Sequence, residues 1–350
     1  MLYKQVSHYQ LNSLLRRDGF GAVYLGEDVR TQKAVVLRVI ELDHQTLARI
    51  TGRVRARSQR EHPLIEQIRQ RMKQIAELKN SHILSVLEYG EEHLQETNDI
   101  IFYMASPFEK GNLLSYWSEY NDREESISLE VVAELLNQAS LALLYIHKRG
   151  LVHQYVRLSS FILRSSARSR RLHLLLTDFW FADITMAILG EGQLSQDLSI
   201  YSAPEQLNGR AVPASDQYAL AVLIYELLLG YRLSVIDCSL GLYERFLLQR
   251  SSEISLHKLE IARRIDQVLL RALAELPQER FSNISEFAAL FYQASRGEAL
   301  ELEADTTLTL AAHTPGRKSA ASLFLETGVD NGAELTQKKD LDVAVALASE

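Results

Sequence analysis

The sequence holds a single cysteine, Cys238, in 350 residues. A disulfide framework and a thiolate-based zinc site are therefore excluded within one chain. Cys238 reads as a small apolar residue in a reducing compartment. Long apolar runs are also missing. The most apolar stretch, YALAVLIYELLLG (Tyr218 to Gly230), is too short to span a bilayer and carries Glu226. It reads as a buried core helix, and no other segment competes as a membrane anchor. The opening MLYKQVSHYQL has no apolar stretch of signal-peptide length. Nor is there an excess of positive charge. The formal net charge is -7, which counts against nonspecific nucleic-acid binding. The basic run RITGRVRARSQREH reads as a solvated face. Together these absences point to a cytoplasmic chain whose partners include neither membrane nor nucleic acid.

What is present suits a sizeable core: 47% hydrophobic and 24% charged residues, close to a globular average. Residues 9 to 40 alternate as short strands do, with GFG in a turn and Ala34 to Ile40 as a strong strand. A charged stretch follows, with a helix expected over Pro63 to Leu78, since proline suits a first helical turn. HILSVLEYGEE and DIIFYMASPF read as a strand pair. From Ser128 the pattern turns helical. Ser128 caps a helix running to about Lys148, and Gly150 stops it. RLHLLLTDF reads as a strand, and residues 203 to 295 as several more helices. A small strand-rich lobe before a larger helical one is an α+β layout with a cleft between. The last stretch, Gly297 to Glu350, has ten acidic and four basic residues and little periodicity, and reads as a disordered acidic tail.

The order of these features resembles that of the bacterial, eukaryotic-like Ser/Thr protein kinases, over residues 9 to 295. GFGAVYLGED is similar to the end of the glycine-rich loop, LVHQYVRLSSFIL to the catalytic loop, LTDFWFAD to the DFG segment and YSAPEQL to the APE motif. The resemblance implies a bilobal kinase-like fold, with an N-lobe over about 9–105 and a C-lobe over about 109–295. It implies structural roles for five residues. Glu205 would pair with Arg280, Asp216 would hold the catalytic loop from below, and His153 and Phe179 would join Ile75 and Val86 in an apolar chain between the lobes. It also implies a nucleotide cleft. Val23 and Val36 would roof a base and Ile162 would floor it. Gly21 would approach the phosphates and Arg38 would take the place of the strand lysine. Ala105 would be a small gatekeeper, and the backbone of Ser106 and Phe108 would meet an adenine edge.

The same resemblance exposes departures at the chemistry. Phosphoryl transfer needs positioned phosphates, Mg²⁺ and a carboxylate that accepts the proton of the attacking hydroxyl. The position of that carboxylate is Tyr155, a phenol with an ordinary pKa of about 10. Gln154 replaces the arginine before it, and Arg157 stands for the loop lysine. Ser160 replaces the asparagine that would hold a second Mg²⁺. Asp178 retains the metal-binding aspartate, but Trp180 replaces the glycine two residues on, where glycine's backbone freedom is needed. Arg16 and Asp18 replace the first two loop glycines. Spacing places Arg71 at the position of the helix glutamate, facing Arg38 with like charge, with Glu66 or Glu77 there instead if the register shifts. Arg16, Arg17, Arg38 and Arg157 form a candidate anion site, or are paired locally.

Two expectations follow. One is a catalytically degenerate member, a pseudokinase, that binds a protein partner such as an active kinase or a phosphothreonine reader. Thr306, Thr307 and Thr309 in the tail are candidate phosphosites for such a reader. The other is a weak or atypical Ser/Thr kinase, or another ATP-dependent transferase, using Asp178. ATP and Mg²⁺ are the cofactors the resemblance implies, and the replaced ligands count against both.

Overall fold

The computed structural model describes residues 4–18, 21–43, 63–94, 97, 99–123, 125–165, 172–179, 200–232, 242–250 and 254–298. The tail threonines, Trp180, Cys238 and the whole of the basic run lie outside these, and of Asp18 only the backbone is described.

Six strands make the N-lobe sheet: β1 (Gln5–Val6), β2 (Tyr9–Asp18), β3 (Gly21–Asp28), β4 (Lys33–Leu42), β5 (Glu88–Leu94) and β6 (Asp99–Pro107). Their order is β1-β2-β3-β4-β6-β5, with every neighbour antiparallel. The period of two along β4 decides what faces the site. Val35, Leu37 and Val39 enter a core on the outer side of the sheet, with Tyr9, Tyr103 and Ala105. Val36 and Arg38, on alternate positions, face the cleft. Helix α1 (Pro63–Ala76) crosses the cleft side and buries Ile65, Ile68, Met72 and Ile75 at helical spacing.

The C-lobe holds α2 (Leu113–Asp122), α3 (Leu129–His147), the hairpin β7 (Phe161–Ser165) with β8 (Leu172–Leu176), α4 (Pro204–Leu207), α5 (Pro213–Leu229), α6 (Leu242–Arg250), α7 (Leu256–Ala272) and α8 (Ile284–Ser295). As expected, Ser128 caps α3, accepting the Val131 N–H at 3.4 Å. Helix α5 is buried nearly all round, as its uniform apolarity requires. Its end is set by Gly230 at φ 76°, a left-handed cap.

Three expectations change. Residues 82–87 are not strand; β5 starts only at Glu88. His82 and Leu84 bond instead to Leu176 of β8, at 2.8 and 2.9 Å, tying the lobes together. Helix α1 stops at Ala76, two residues early. And α3, 19 residues long, is apolar enough to cross a membrane by length and composition, a match the sequence reading did not make. Its apolar side is spent on the C-lobe core, where Leu135, Leu136, Leu143 and Ile146 are buried.

Candidate functional site

The loop between α3 and β7 hangs from one carboxylate. Asp216, buried on α5, accepts the backbone N–H of His153 at 2.8 Å through Oδ2 and that of Gln154 at 2.7 Å through Oδ1. His147 Nε2 meets the same Oδ2 at 2.8 Å. The buried His153 has its pKa pushed down by desolvation. It stays neutral, with Nε2–H donating to the Thr177 carbonyl at 2.8 Å and Nδ1 accepting the Tyr155 N–H at 3.3 Å. Its ring lies 5.1 Å from that of Phe179. Ile75, Val86 and Phe179 belong to the same core. Further down, Arg280 forks onto both oxygens of Glu205, at 2.7 and 2.9 Å. All five structural residues expected from the sequence stand where they were expected.

Between the lobes lies a cleft of about 470 Å³, within the range of small-molecule sites. Val23, Val36 and Ile162 line it as expected. Ala105 does not: it is fully buried in the outer core of the sheet. Its neighbours Met104 and Ser106 face the cleft instead, because strand side chains alternate and a register error of one exchanges the faces. Ser106 is thus the small residue there. The adenine edge is also changed. Ser106 pairs with Val36 and Pro107 with Val35 along β4, and the Phe108 N–H donates to the Ala34 carbonyl at 3.3 Å. The sheet takes up the N–H expected to meet a base, and Pro107 has none to offer. Gly21 is required by the sheet itself. At φ 136°, a Cβ there would sit 2.2 Å from the Val39 carbonyl oxygen.

At the other end of the cleft Asp178 is held from above. Arg16 of β2 donates to Oδ2 at 2.8 Å, and Arg38 of β4 donates to Oδ1. All three side chains are nearly buried, 11–12% exposed. Burial alone would raise the carboxyl pKa. The charges of Arg16, Arg38 and then Arg157 outweigh it and hold the group well below the usual carboxylate range. The expected confrontation of Arg38 with Arg71 is thus answered by Asp178, 140 residues away in sequence. Glu66, the alternative partner, meets Arg69 at 3.4 Å on the surface. Of the four arginines read as an anion site, Arg16, Arg38 and Arg157 act on Asp178, whereas Arg17 is exposed. The sequence could have hinted at this: two glycine-loop and lysine positions turned to arginine beside one retained aspartate.

The catalytic loop itself is closed inward. Tyr155 is buried, with the Arg157 guanidinium over its ring, 4.1 Å from the centroid. Such a contact desolvates both groups. Ser160 is fully buried and donates its hydroxyl to the Tyr155 carbonyl at 2.7 Å. Among the described residues lining the cleft, two carry carboxylates, Asp178 and Glu109. Both are ion-paired, Glu109 with Arg164.

The model of the protein kinase domain matches residues 9–290 of this sequence. The chain belongs to the protein kinase domain family. Among curated proteins it is similar to the serine/threonine-protein kinase PknB of Mycolicibacterium smegmatis, 24% identical over 330 residues, covering 90% of this chain and 48% of that protein. It is also similar to the serine/threonine-protein kinase PrkC of Bacillus subtilis, 20% identical over 299 residues, covering 83% and 41%. The chain therefore spans less than half the length of these relatives. The crystal structure of the Mycobacterium tuberculosis PknI kinase domain shares its fold, with TM-score 0.56 and 24% identity over 84% of this chain and 100% of that one.

Protein kinase domains generally bind ATP and Mg²⁺. The donor set around Asp178, as it stands, does not fit Mg²⁺. The one retained metal ligand, Asp178, has an arginine on each oxygen, and a cation there would meet two guanidinium groups at contact range. The second ligand position, Ser160, is fully buried, with its hydroxyl turned to the Tyr155 carbonyl.

Proposed function

We propose that this chain is a catalytically impaired member of the Ser/Thr kinase family that works by binding rather than by phosphoryl transfer. The observation that carries this reading is the double ion pair on Asp178. It fills the place where an active kinase orients metal and phosphates. The absence of a carboxylate at Tyr155 acts in the same direction. General-base catalysis is worth about 10²–10⁴-fold, and transition-state charge stabilisation up to about 10³–10⁵-fold. These losses are not additive, but together they leave little turnover. The preserved braces, Asp216 and the Glu205–Arg280 pair, keep the C-lobe scaffold rigid for partner binding. They would serve an active kinase equally. The partner in this reading is another cytoplasmic signalling protein, either an active kinase or a reader of phosphorylated Thr306, Thr307 or Thr309.

The test is incorporation of label from ATP carrying ³²P at the γ position, with Mg²⁺ or Mn²⁺, into the chain itself and into a generic acceptor such as myelin basic protein. The wild type and Asp178→Ala are expected to give the same background. Metal-dependent incorporation that Asp178→Ala abolishes would establish the rival reading, a weak kinase using Asp178.

A further inference from the structure

Asp178 can be regarded as an anion already bound. Its two oxygens occupy Arg16 and Arg38 in the way a phosphate or carboxylate group of a ligand would. Arg157 adds a third positive charge acting on it. Three guanidinium groups thus act on this one carboxylate at the end of the cleft. The rest of the cleft is mainly apolar, with Val23, Val36, Leu84, Met104, Ile162 and Phe179 among its lining. Ser106 is small, so one continuous space runs from the roof at Val36 to Ile75 beneath the sheet. The Phe108 N–H, one of the groups expected at a purine edge, is meanwhile bonded to the Ala34 carbonyl.

From this we infer that the cleft is a receptor for an organic anion with an apolar body, whose head group takes Arg16 and Arg38 from Asp178 without any divalent cation. The inference rests on the reading that the cleft does not use Mg²⁺ with ATP, and it names the ligand class of that same site. Asp178 acts as an internal competitor. It keeps the arginines paired when the cleft is empty and sets a threshold that a ligand must exceed. This role reverses the sign of its usual effect: removing the aspartate should tighten binding, whereas in a metal-dependent nucleotide site it would weaken it.

The full chain is titrated with 1-anilinonaphthalene-8-sulfonate, an aromatic body with one anionic head, in EDTA. Its uncharged analogue N-phenyl-1-naphthylamine serves as the control. Saturable binding at one site per chain is expected. Arg16→Gln or Arg38→Gln should weaken the sulfonate by about tenfold or more, the loss of one charge-assisted hydrogen bond. Asp178→Asn should strengthen it by about tenfold. Binding of the uncharged analogue should change in none of the three. Phenyl phosphate and benzoate are then used as competitors, and the stronger of the two names the head group preferred. The inference is overturned if the arginine variants bind the sulfonate as the wild type does, if Asp178→Asn binds it more weakly, or if neither competitor displaces it. Because this dye also binds loosened protein, a gain in Asp178→Asn supports the inference only with one site per chain and a wild-type urea unfolding midpoint; a gain with a lowered midpoint, or matched by the uncharged analogue, overturns it. A separate titration with ATP distinguishes the two failures: displacement of the probe by ATP only when Mg²⁺ is added would remove the underlying reading as well.

Discussion

Arg280→Ala lowers the unfolding free energy by about 3–5 kcal/mol, the usual cost of removing one partner of a buried ion pair. The Arg280 side chain is fully buried and that of Glu205 12% exposed. Besides the fork onto Glu205, Arg280 donates to the carbonyls of Ala214, Ala274 and Glu275. Alanine would leave those three acceptors and a buried carboxylate short of donors. Lysine recovers only part of the loss, because a single ammonium cannot reproduce the fork. The pH dependence follows from Glu205. Burial raises its pKa, but hydrogen bonds from Arg280 and Ser215 outweigh that and lower it overall. The stability it contributes is present above its unfolded value of about 4.3 and is lost as pH falls through the lower folded value. The gap between wild type and variant, read by urea unfolding, should therefore be full at pH 7 and shrink below about pH 4. A gap of under about 1 kcal/mol at pH 7 would mean the pair is not buried as described.

The second large effect is expected at the cleft. Replacing Arg16 and Arg38 together by methionine costs about 3–5 kcal/mol at pH 8, since Asp178 is left buried without its two ion-pair partners and with Arg157 as the remaining arginine acting on it. In the wild type the folded pKa of Asp178 is depressed, so its contribution is constant above the unfolded value and is lost only in acid. In the double variant desolvation, which raises the pKa, prevails. The sign then reverses. Protonation relieves the buried charge, so the variant regains stability as pH falls from 8 towards 5. The measurement is the unfolding midpoint of both proteins across that range. A difference that stays flat from pH 8 to pH 5 would show that the two arginines do not govern Asp178.

Much of this architecture could be read from the sequence, and the reason is local. Glu205, Asp216 and Arg280 sit in short motifs by which the family resemblance implies their roles, and the structure pairs Glu205 with Arg280 and hangs the loop from Asp216. Val23, Val36 and Ile162 are placed by the resemblance, and all three line the cleft. Alternation along the strand caused the error at Ala105. A single sequence does not state which parity of β6 faces the cleft, and the pairing of Val36 with Ser106 settles it. The Arg16–Asp178 contact was out of reach for another reason. It joins residues 162 apart, so no local pattern encodes it. The sequence showed only that charges had changed around a retained aspartate. How they were compensated depended on two lobes closing over it. Residues 82–87 illustrate tertiary override: their apolar pattern suits a strand, yet their backbone bonds go to β8 in the other lobe.

The central claim is that the Asp178 carboxylate belongs to Arg16 and Arg38 rather than to a metal ion. Isothermal titration of the full chain with ATP, first in EDTA and then in excess Mg²⁺, tests it most directly. The account predicts that Mg²⁺ adds no affinity, and that Asp178→Asn does not weaken whatever binding ATP shows. Binding that appears only with Mg²⁺ and is lost in Asp178→Asn would contradict it.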